Sequence, residues 1–423
     1  MPDPPVSFPR GKIDHGRQRG TKFTQRFLLL DLSSSTDFLI IGAGFSGLVA
    51  AERLAAAGWK CVVVDRRDHL GGNAYDRIDA AGVLIHPYGP HYFRTNSTRV
   101  VDYLSRFTSW HEVAYTIKSH TRGRYWSFPI NLNTFEEYLG RSSSSTEFRA
   151  WLEKTRVPIT QPQNSEEVIL SQIGRELYEW FFEGYTLKQW KRHPRDLDAS
   201  VCQRIPVRTT RDDHYLTESF QALPARGYSA LFENLLAATP GIQLHLGVDF
   251  QEAKARWKFK HLIFTGAIDE YFGRCRGALP YRSLRFEAES FTAAQLQQRL
   301  TVSGKPGYWQ PAVQVNYPDV EIPFTRIVEI KHATGQQIDT STIIREFPMD
   351  CGPGEEPYYP VPAADARAAY QLYAELAAAE THTSFIGRLA TYQYYNMDQV
   401  TAMALAEADR LLKRYGRPDP TIS

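Results

Sequence analysis

Gly42, Gly44 and Gly47 are spaced as GxGxxG, and Asp65 stands 18 residues past the third of them. The first glycine allows a tight turn, the second lets backbone approach a pyrophosphate, and the third lets a helix pack closely on a strand. Phe45 and Ser46 complete the turn, and amides at the start of the following helix attract phosphate charge. A carboxylate at Asp65, at the end of the next strand, is placed to bind ribose hydroxyls. This is dinucleotide-binding chemistry; a glycine turn that merely packs would not require the acid.

A second dense cluster runs from His86 to Asn96, HPYGPHYFRTN. Neither helical nor strand periodicity calls for two histidines, two tyrosines and an arginine around one Pro-Tyr-Gly-Pro turn. Gly89 lets backbone come close to a partner and the prolines stiffen it. It is either a satisfied structural turn or the wall of a site.

These groups need elements to hold them. Phe38-Leu39-Ile40-Ile41 is a short apolar run, and LVAAERLAAAG after the glycines is rich in helix formers. Cys61-Val62-Val63-Val64-Asp65 is a second buried strand, so order is expected from Asp37. Residues 1–35, rich in Pro, Arg, Gly and Ser, read as a disordered or irregular extension. From about 98 to 190 the pattern is helical and polar. Asn164 with Glu167 marks a helix start there, and Ile169, Ile173, Leu177 and Phe181 make one apolar stripe. Alternating residues over 204–228 and 282–350, for instance Arg326 to Lys331, predict half-solvated strands. Ser142–Ser145 is a surface loop, Ser384–Arg388 a strand entering a Gly-Arg turn, and Ala-rich helices are expected near 364–380 and 397–414.

The chain carries 49 Lys and Arg against 47 Asp and Glu, a balance that argues against nucleic acid as the main partner. Cys61, Cys202, Cys275 and Cys351 form no CxxC pair, so neither a metal site nor a disulfide framework is expected, and a reducing compartment fits. The run Phe27–Leu30 is broken by Asp31, too short for a signal core or membrane span. The chain reads as cytoplasmic, without membrane insertion. The 23 Tyr, 23 Phe and 8 Trp suit stacking on planar rings or sugars as well as packing.

The glycine pair Gly71-Gly72, soon after Asp65, resembles FAD-containing amine-oxidase and glutathione-reductase-like flavoproteins more than nicotinamide dehydrogenases. In that class a late strand such as Ser384–Arg388 returns to the cofactor, bringing Arg388 to the pyrophosphate or isoalloxazine; a surface helix-start arginine is the alternative. Segments in one order then narrow the resemblance: GGNAYD, HPYGPHYFRTN, FPINLNTF, FFEGYTLKQW, RIPVR followed by DDHY, FTGAIDEYFG, YRSLRFE, FTRIVEIKH, EEPYYPV and GRLATYQYYNMDQV. From Asp37 nearly to the C-terminus the chain resembles the UDP-galactopyranose mutase family.

The resemblance implies an α/β plus α+β architecture. A Rossmann-like FAD-binding domain would take residues 36–97, about 229–280 and 352–423. A helical substrate or lid domain would be inserted over 98–190, and an antiparallel β-sheet substrate domain would take 191–228 and 281–351. It implies an isomerase that interconverts UDP-galactopyranose, or a close UDP-hexopyranose such as UDP-N-acetylgalactosamine, with its furanose form, as used in cell wall polysaccharide biosynthesis. FAD would be active when reduced, with NAD(P)H or another reductant supplying electrons. Its N5 would displace UDP from the anomeric carbon, and the flavin–sugar adduct would open and reclose. A homodimer is implied as well.

The resemblance also assigns residues. Gly42, Gly44, Phe45, Ser46, Gly47, Asp65, Arg66, Gly72, Asn73, His91, Val248, Gly387, Arg388 and Met397 would hold the cofactor. Arg204 and Arg326 would clamp the departing diphosphate, whose growing charge calls for paired guanidinium groups, and His91 would lie near the reactive ring edge. Tyr185 would stack on uracil with Phe182 beside it, while Phe181 goes to the core. Trp190 would precede a mobile lid, KRHPRDLDAS. Tyr215, Tyr359 and Tyr394 would hydrogen-bond diphosphate or sugar, Asn316 and Glu346 would line the pocket, and Arg94 and Asn396 would face substrate. Read singly, each arginine is equally a strand residue paired with a surface carboxylate, the aromatics are core, and Trp190 is a loop anchor.

Four positions depart from the family pattern. Arg94 stands where histidine is usual, as in members that accept N-acetylated sugars, and Asn396 stands where aspartate is usual. Lys191 replaces glycine, and Tyr115 lies where an asparagine helps hold the nucleotide. Two rival readings are an FAD-dependent oxidoreductase of the amine-oxidase type and a catalytically inactive nucleotide-sugar-binding flavoprotein.

Overall fold

The computed structural model describes residues 34–417. The expected N-terminal extension, apart from Ser34 and Ser35, lies outside the described residues. The first strand, β1 (Ser34–Ile41), starts before Asp37. Its polar start is held by pairing: Ser34 to Thr36 align with Trp257 to Phe259 of β11 (Trp257–Phe264).

β1 and β2 (Cys61–Asp65) flank the helix Phe45–Ala56, with the glycine turn between. Every residue of β2 is buried, as a parallel strand covered on both faces should be. The five-stranded parallel sheet runs β10 (Ile242–Leu246), β2, β1, β11, β17 (Thr383–Phe385). Leu48 and Val49 of the first helix share a core with Leu405 and Leu411 of the long helix Met397–Tyr415. This is the Rossmann-like part.

A seven-stranded sheet carries the rest of the candidate site. Its order is β16 (Tyr359–Pro360), β12 (Tyr281–Phe291), β15 (Ser341–Asp350), β14 (Arg326–Val328), β13 (Gln314–Asn316), β7 (Ile117–Thr121), β8 (Arg124–Phe128). All neighbours are antiparallel except β13 and β7. One rung crosses six strands: Phe286, Glu346, Arg326, Asn316, Ser119, Trp126. Residues opposite one another across strands share a face. The register therefore delivers a carboxylate, a guanidinium and an amide side by side.

A three-stranded sheet of β5 (Phe93–Thr95), β9 (Phe220–Pro224) and β6 (Trp110–Glu112), and a hairpin of β3 (Arg77–Ile78) and β4 (Leu84–Ile85), complete the strands.

The structure corrects several expectations. The stretch 98–190 is helical only in part: β6, β7 and β8 lie in it, and β7 and β8 extend the seven-stranded sheet. Ile117–Thr121 alternates buried and half-buried residues, a period-two signal that pairing with β13 makes real. Over 204–228 only Phe220–Pro224 becomes a strand, and it joins the small sheet, because the rest finds no continuous partner. Arg326 to Lys331 is strand only to Val328. Lys331 opens a short helix and points its ammonium at the carbonyls of Gly307, Ile338 and Thr340, at 2.8, 2.5 and 2.8 Å. Within 282–350 the helices Ala293–Gln298 and Leu300–Ser303 also interrupt the strands.

Other readings hold. Asn164 accepts from the Glu167 amide at 2.9 Å and caps the helix Ser165–Tyr178. Ile169, Ile173, Leu177 and Phe181 are all buried. A π-helical turn, Glu179–Glu183, passes into the helix Gly184–Trp190. The Ala-rich helices span Ala364–Ala379 and Met397–Tyr415. Of the loop expected over Ser142–Ser145, Ser142 to Ser144 are loop, with Ser144 capping the next helix, which Ser145 begins. Among the described residues no helix is long and apolar enough to cross a membrane.

Candidate functional site

A cavity of about 630 Å³ opens where the glycine turn meets the ends of the parallel strands. Gly42, Gly44, Phe45, Ser46, Asp65, Arg66, Gly72, Asn73, His91, Val248, Gly387, Arg388 and Met397 all line it. Gly47 does not, and its role is packing: a Cβ there would lie 1.9 Å from the Gly42 carbonyl oxygen. The Asp65 carboxylate accepts from the amides of Ala43 and Arg67, at 2.8 and 2.9 Å, which ties the glycine turn to β2. A carboxylate has about four lone-pair sites, so ribose hydroxyls can still be accepted. Gly387, in the turn after β17, packs against Ser46. Close-packed backbone, a helix N-terminus and an acid at the strand end together fit the diphosphate and ribose of a dinucleotide.

His86 and His91 hold the turn between them. The His91 amide donates to His86 Nδ1 at 3.2 Å, and His91 Nδ1 lies 2.8 Å from the Gly89 carbonyl oxygen. Burial is the main cause that brings both imidazoles down to about 3; at His91 the charges of His86, Arg388 and Arg326 act with it and the bond to Gly89 against it. Both are neutral at physiological pH. In His91 the Nδ1 proton is donated to Gly89, which leaves Nε2 as a lone pair. A Cβ on Gly89 would sit 3.1 Å from Glu346 Oε2, so this turn stands between the cofactor cavity and the seven-stranded sheet.

A second cavity, about 400 Å³, is lined by Arg94, Trp190, Arg204, Tyr215, Glu218 and Tyr394, among others. Asn396 lines both cavities and so marks their junction. It precedes the helix Met397–Tyr415, and its amide donates to Gln399 Oε1 at 2.9 Å.

Four arginines converge on one phenol. Arg204 lies 5.2 Å and Arg388 5.1 Å from the Tyr394 ring centre, and the Tyr359 ring stacks on Tyr394 at 5.3 Å. Burial alone would raise the Tyr394 phenol, but Arg204, Arg388, Arg326 and Arg94 together bring it below the usual tyrosine range. Tyr359 is pushed the other way, by burial and then by Tyr394. Trp190 packs 6.1 Å from Tyr359. Arg326 gives Nε to Glu346 Oε2 at 2.8 Å. Asn316 accepts from Gln314 Nε2 at 2.8 Å, on the same rung. Burial raises the Tyr185 phenol to about 12, with the charge of Arg326 lowering it and that of Glu346 raising it.

Arg326, Glu346, Asn316, Tyr185 and Tyr359 line neither of these two cavities, and Phe182, expected beside the uracil, is not brought to them either. Phe182 is buried 5.7 Å from Phe128 instead, because it belongs with Phe181 to the continuous apolar core. Tyr115 is fully buried, 4.4 Å from Tyr92, with its hydroxyl donating to the Ala222 carbonyl; it faces no cavity. Lys191 caps its helix at φ 49°, the left-handed conformation that glycine takes without strain, and pairs with Asp350 at 2.7 Å.

Three side chains escaped the sequence reading. Glu218 holds Arg94 at 2.9 Å across 124 residues of chain. Arg67 meets Asn73 at 2.8 Å, and Glu356 joins Arg66 and Arg67 at 2.6 and 3.1 Å on the cofactor wall. Glu218 lies in no quoted motif, whereas Glu356 falls in EEPYYPV and Arg67 stands beside an assigned residue.

The chain is similar to known proteins over most of its length. A family model described as UDP-galactopyranose mutase matches residues 180–394, and one described as an NAD(P)-binding Rossmann-like domain matches residues 40–107. A Klebsiella pneumoniae protein named "Probable UDP-galactopyranose mutase" is 36% identical over 382 residues, 90% of this chain and 95% of that protein. A dTDP-fucopyranose mutase of Escherichia coli is 35% identical over 383 residues, 89% and 98% of the two chains. The crystal structure of a reduced UDP-galactopyranose mutase superposes with a TM-score of 0.66 at 17% identity, covering 90% of this chain and 96% of the other.

Proposed function

Given that this chain belongs to the UDP-galactopyranose mutase family, a family of isomerases, we propose that it interconverts pyranose and furanose forms of a nucleotide-linked hexose. The substrate is UDP-galactose or a close UDP-hexose such as UDP-N-acetylgalactosamine, and FAD in its reduced state occupies the larger cavity. The observation that carries this reading is the junction at Asn396, where a dinucleotide-shaped groove opens into a cavity walled by arginines and tyrosines.

Reduced FAD, when bound, supplies an electron-rich nitrogen toward the anomeric carbon. The protein does the rest by charge and orientation. Arg204 and Arg326 meet the diphosphate and offset the charge that grows as it leaves. Arg204 pairs with no carboxylate among the described residues and is free to turn to an anion, whereas Arg326 is held ready by Glu346. Tyr185 offers a flat face to the base, and Tyr215, Tyr359 and Tyr394 donate hydroxyls to phosphate or sugar. Trp190 and the segment after it cover the cavity. Neutral His91 offers a lone pair at the cofactor edge. Arg94, Asn396, Asn316 and Glu346 face the sugar. The protein acts in the cytoplasm as a homodimer.

The test is anaerobic incubation of the dithionite-reduced protein with UDP-galactose, UDP-N-acetylgalactosamine and dTDP-fucose, followed by chromatography. The last is included because one relative carries that sugar in its name. Furanose product without stoichiometric electron consumption is expected. No furanose from any of the three removes the reading, and stoichiometric consumption of an oxidant supports the amine-oxidase type instead.

A further inference from the structure

Lys188 sits on the helix Gly184–Trp190, between Tyr185 and Trp190. Its Nζ lies 2.5 Å from the Tyr317 carbonyl oxygen, 2.8 Å from that of Asp319, 2.9 Å from Ile322 and 3.0 Å from Phe324. An ammonium has three protons, so four carbonyls cannot each receive one. What they share is their negative ends, turned on a single cation, the arrangement by which backbone carbonyls replace the water around a monovalent ion. Burial pulls this ammonium down to about 8, so its charge is costly here without the cage.

The caged segment joins two elements of the site. It leaves β13 just after Asn316 and enters β14 at Arg326. A second contact welds it to the same helix: a Cβ on Gly184 would lie 2.3 Å from the Pro318 carbonyl oxygen, so the helix start meets loop backbone directly. Thr325, between cage and arginine, donates its amide to the Glu346 carbonyl at 2.9 Å.

We propose that Lys188 is a positioning residue: caged by the carbonyls of 317–324, it fixes the helix bearing Tyr185 and Trp190 relative to Arg326. The base-facing and diphosphate-facing contacts then come into place as one unit. The identity of the ligand rests on the function proposed above; the latch itself does not. Lys331, with its three carbonyls, uses the same chemistry away from the paired cavities and provides a control.

Lys188→Met in the FAD-loaded protein is expected to raise KM for the nucleotide sugar and lower kcat/KM by about 10- to 100-fold, with the flavin spectrum unchanged. Propylammonium should restore part of the loss in Lys188→Ala. Lys331→Met should lose thermal stability but keep kcat/KM per bound flavin. A Lys188→Met enzyme within about twofold of wild type, an equal loss in Lys331→Met, or no rescue by the amine overturns the proposal. Amide exchange on the wild-type protein gives a reading that needs no variant. UDP should protect 184–190 and 317–325 together, and protection of one without the other overturns it. If the wild-type protein makes no furanose, the mutase reading falls, while the amine-dependence of exchange at 317–325 in Lys188→Ala still decides the latch.

Discussion

Arg326 places both Nε and Nη2 on one oxygen of Glu346, at 2.8 and 2.7 Å, across the β14–β15 pair. The other oxygen of Glu346 is buried with no hydrogen-bond partner among the described residues. The Glu346 side chain is 1% exposed and that of Arg326 17%. Breaking a pair this buried leaves one charge uncompensated, at a cost of about 3–5 kcal/mol. Arg326→Ala should therefore lose stability as well as turnover. Adding Glu346→Gln should recover most of the stability and none of the turnover, read by urea unfolding beside the mutase assay. A single variant as stable as wild type would mean the pair is solvated.

Arg204 is the opposite case. It is exposed, donates to the Val201 carbonyl at 3.2 Å and rests over Tyr394. Arg204→Ala should leave the unfolding midpoint and flavin content unchanged while turnover falls about 100- to 1000-fold. Near-normal turnover would take it out of the mechanism.

Arg94 enters the second cavity already paired with Glu218. A partly solvated pair of this kind contributes about 1 kcal/mol or less, so Arg94→His should scarcely move stability. It should raise the ratio of kcat/KM for UDP-galactose over UDP-N-acetylgalactosamine. An unchanged ratio would refute a role for Arg94 in sugar choice.

His86 is 2% exposed, and its Nδ1 accepts a backbone amide, so the fold requires it unprotonated. Burial takes it to about 3, below the ordinary value of about 6.5. Between these values the unfolded chain binds a proton that the folded chain refuses. Its contribution is complete above pH 6.5 and is lost as pH falls toward 3, at about 1.4 kcal/mol per pH unit. His86→Gln, which can still accept the amide, should flatten the acid limb of stability against pH by about one proton. An unchanged slope between pH 6 and 4 would show that His86 titrates normally.

What the sequence determined by itself was local and stereochemical. The GxGxxG turn, Asp65, the capped helix at Asn164 and the stiff wall around Gly89 are each dictated by backbone conformation and spacing within a few residues. The order of motifs identified the family and brought most of the assigned side chains to the two cavities. Tertiary structure alone decided the rest. Asn316, Arg326 and Glu346 share a rung only because three strands pair in one register, and a slip of one residue would turn each to the other face. Glu218 reaches Arg94 across 124 residues, and Lys188 meets carbonyls more than 120 residues away. Phe182 went to the core because continuous apolar packing outweighed its place in a motif. Local signals are written in neighbouring residues, whereas pairing partners depend on how distant strands align, which no short window of sequence contains.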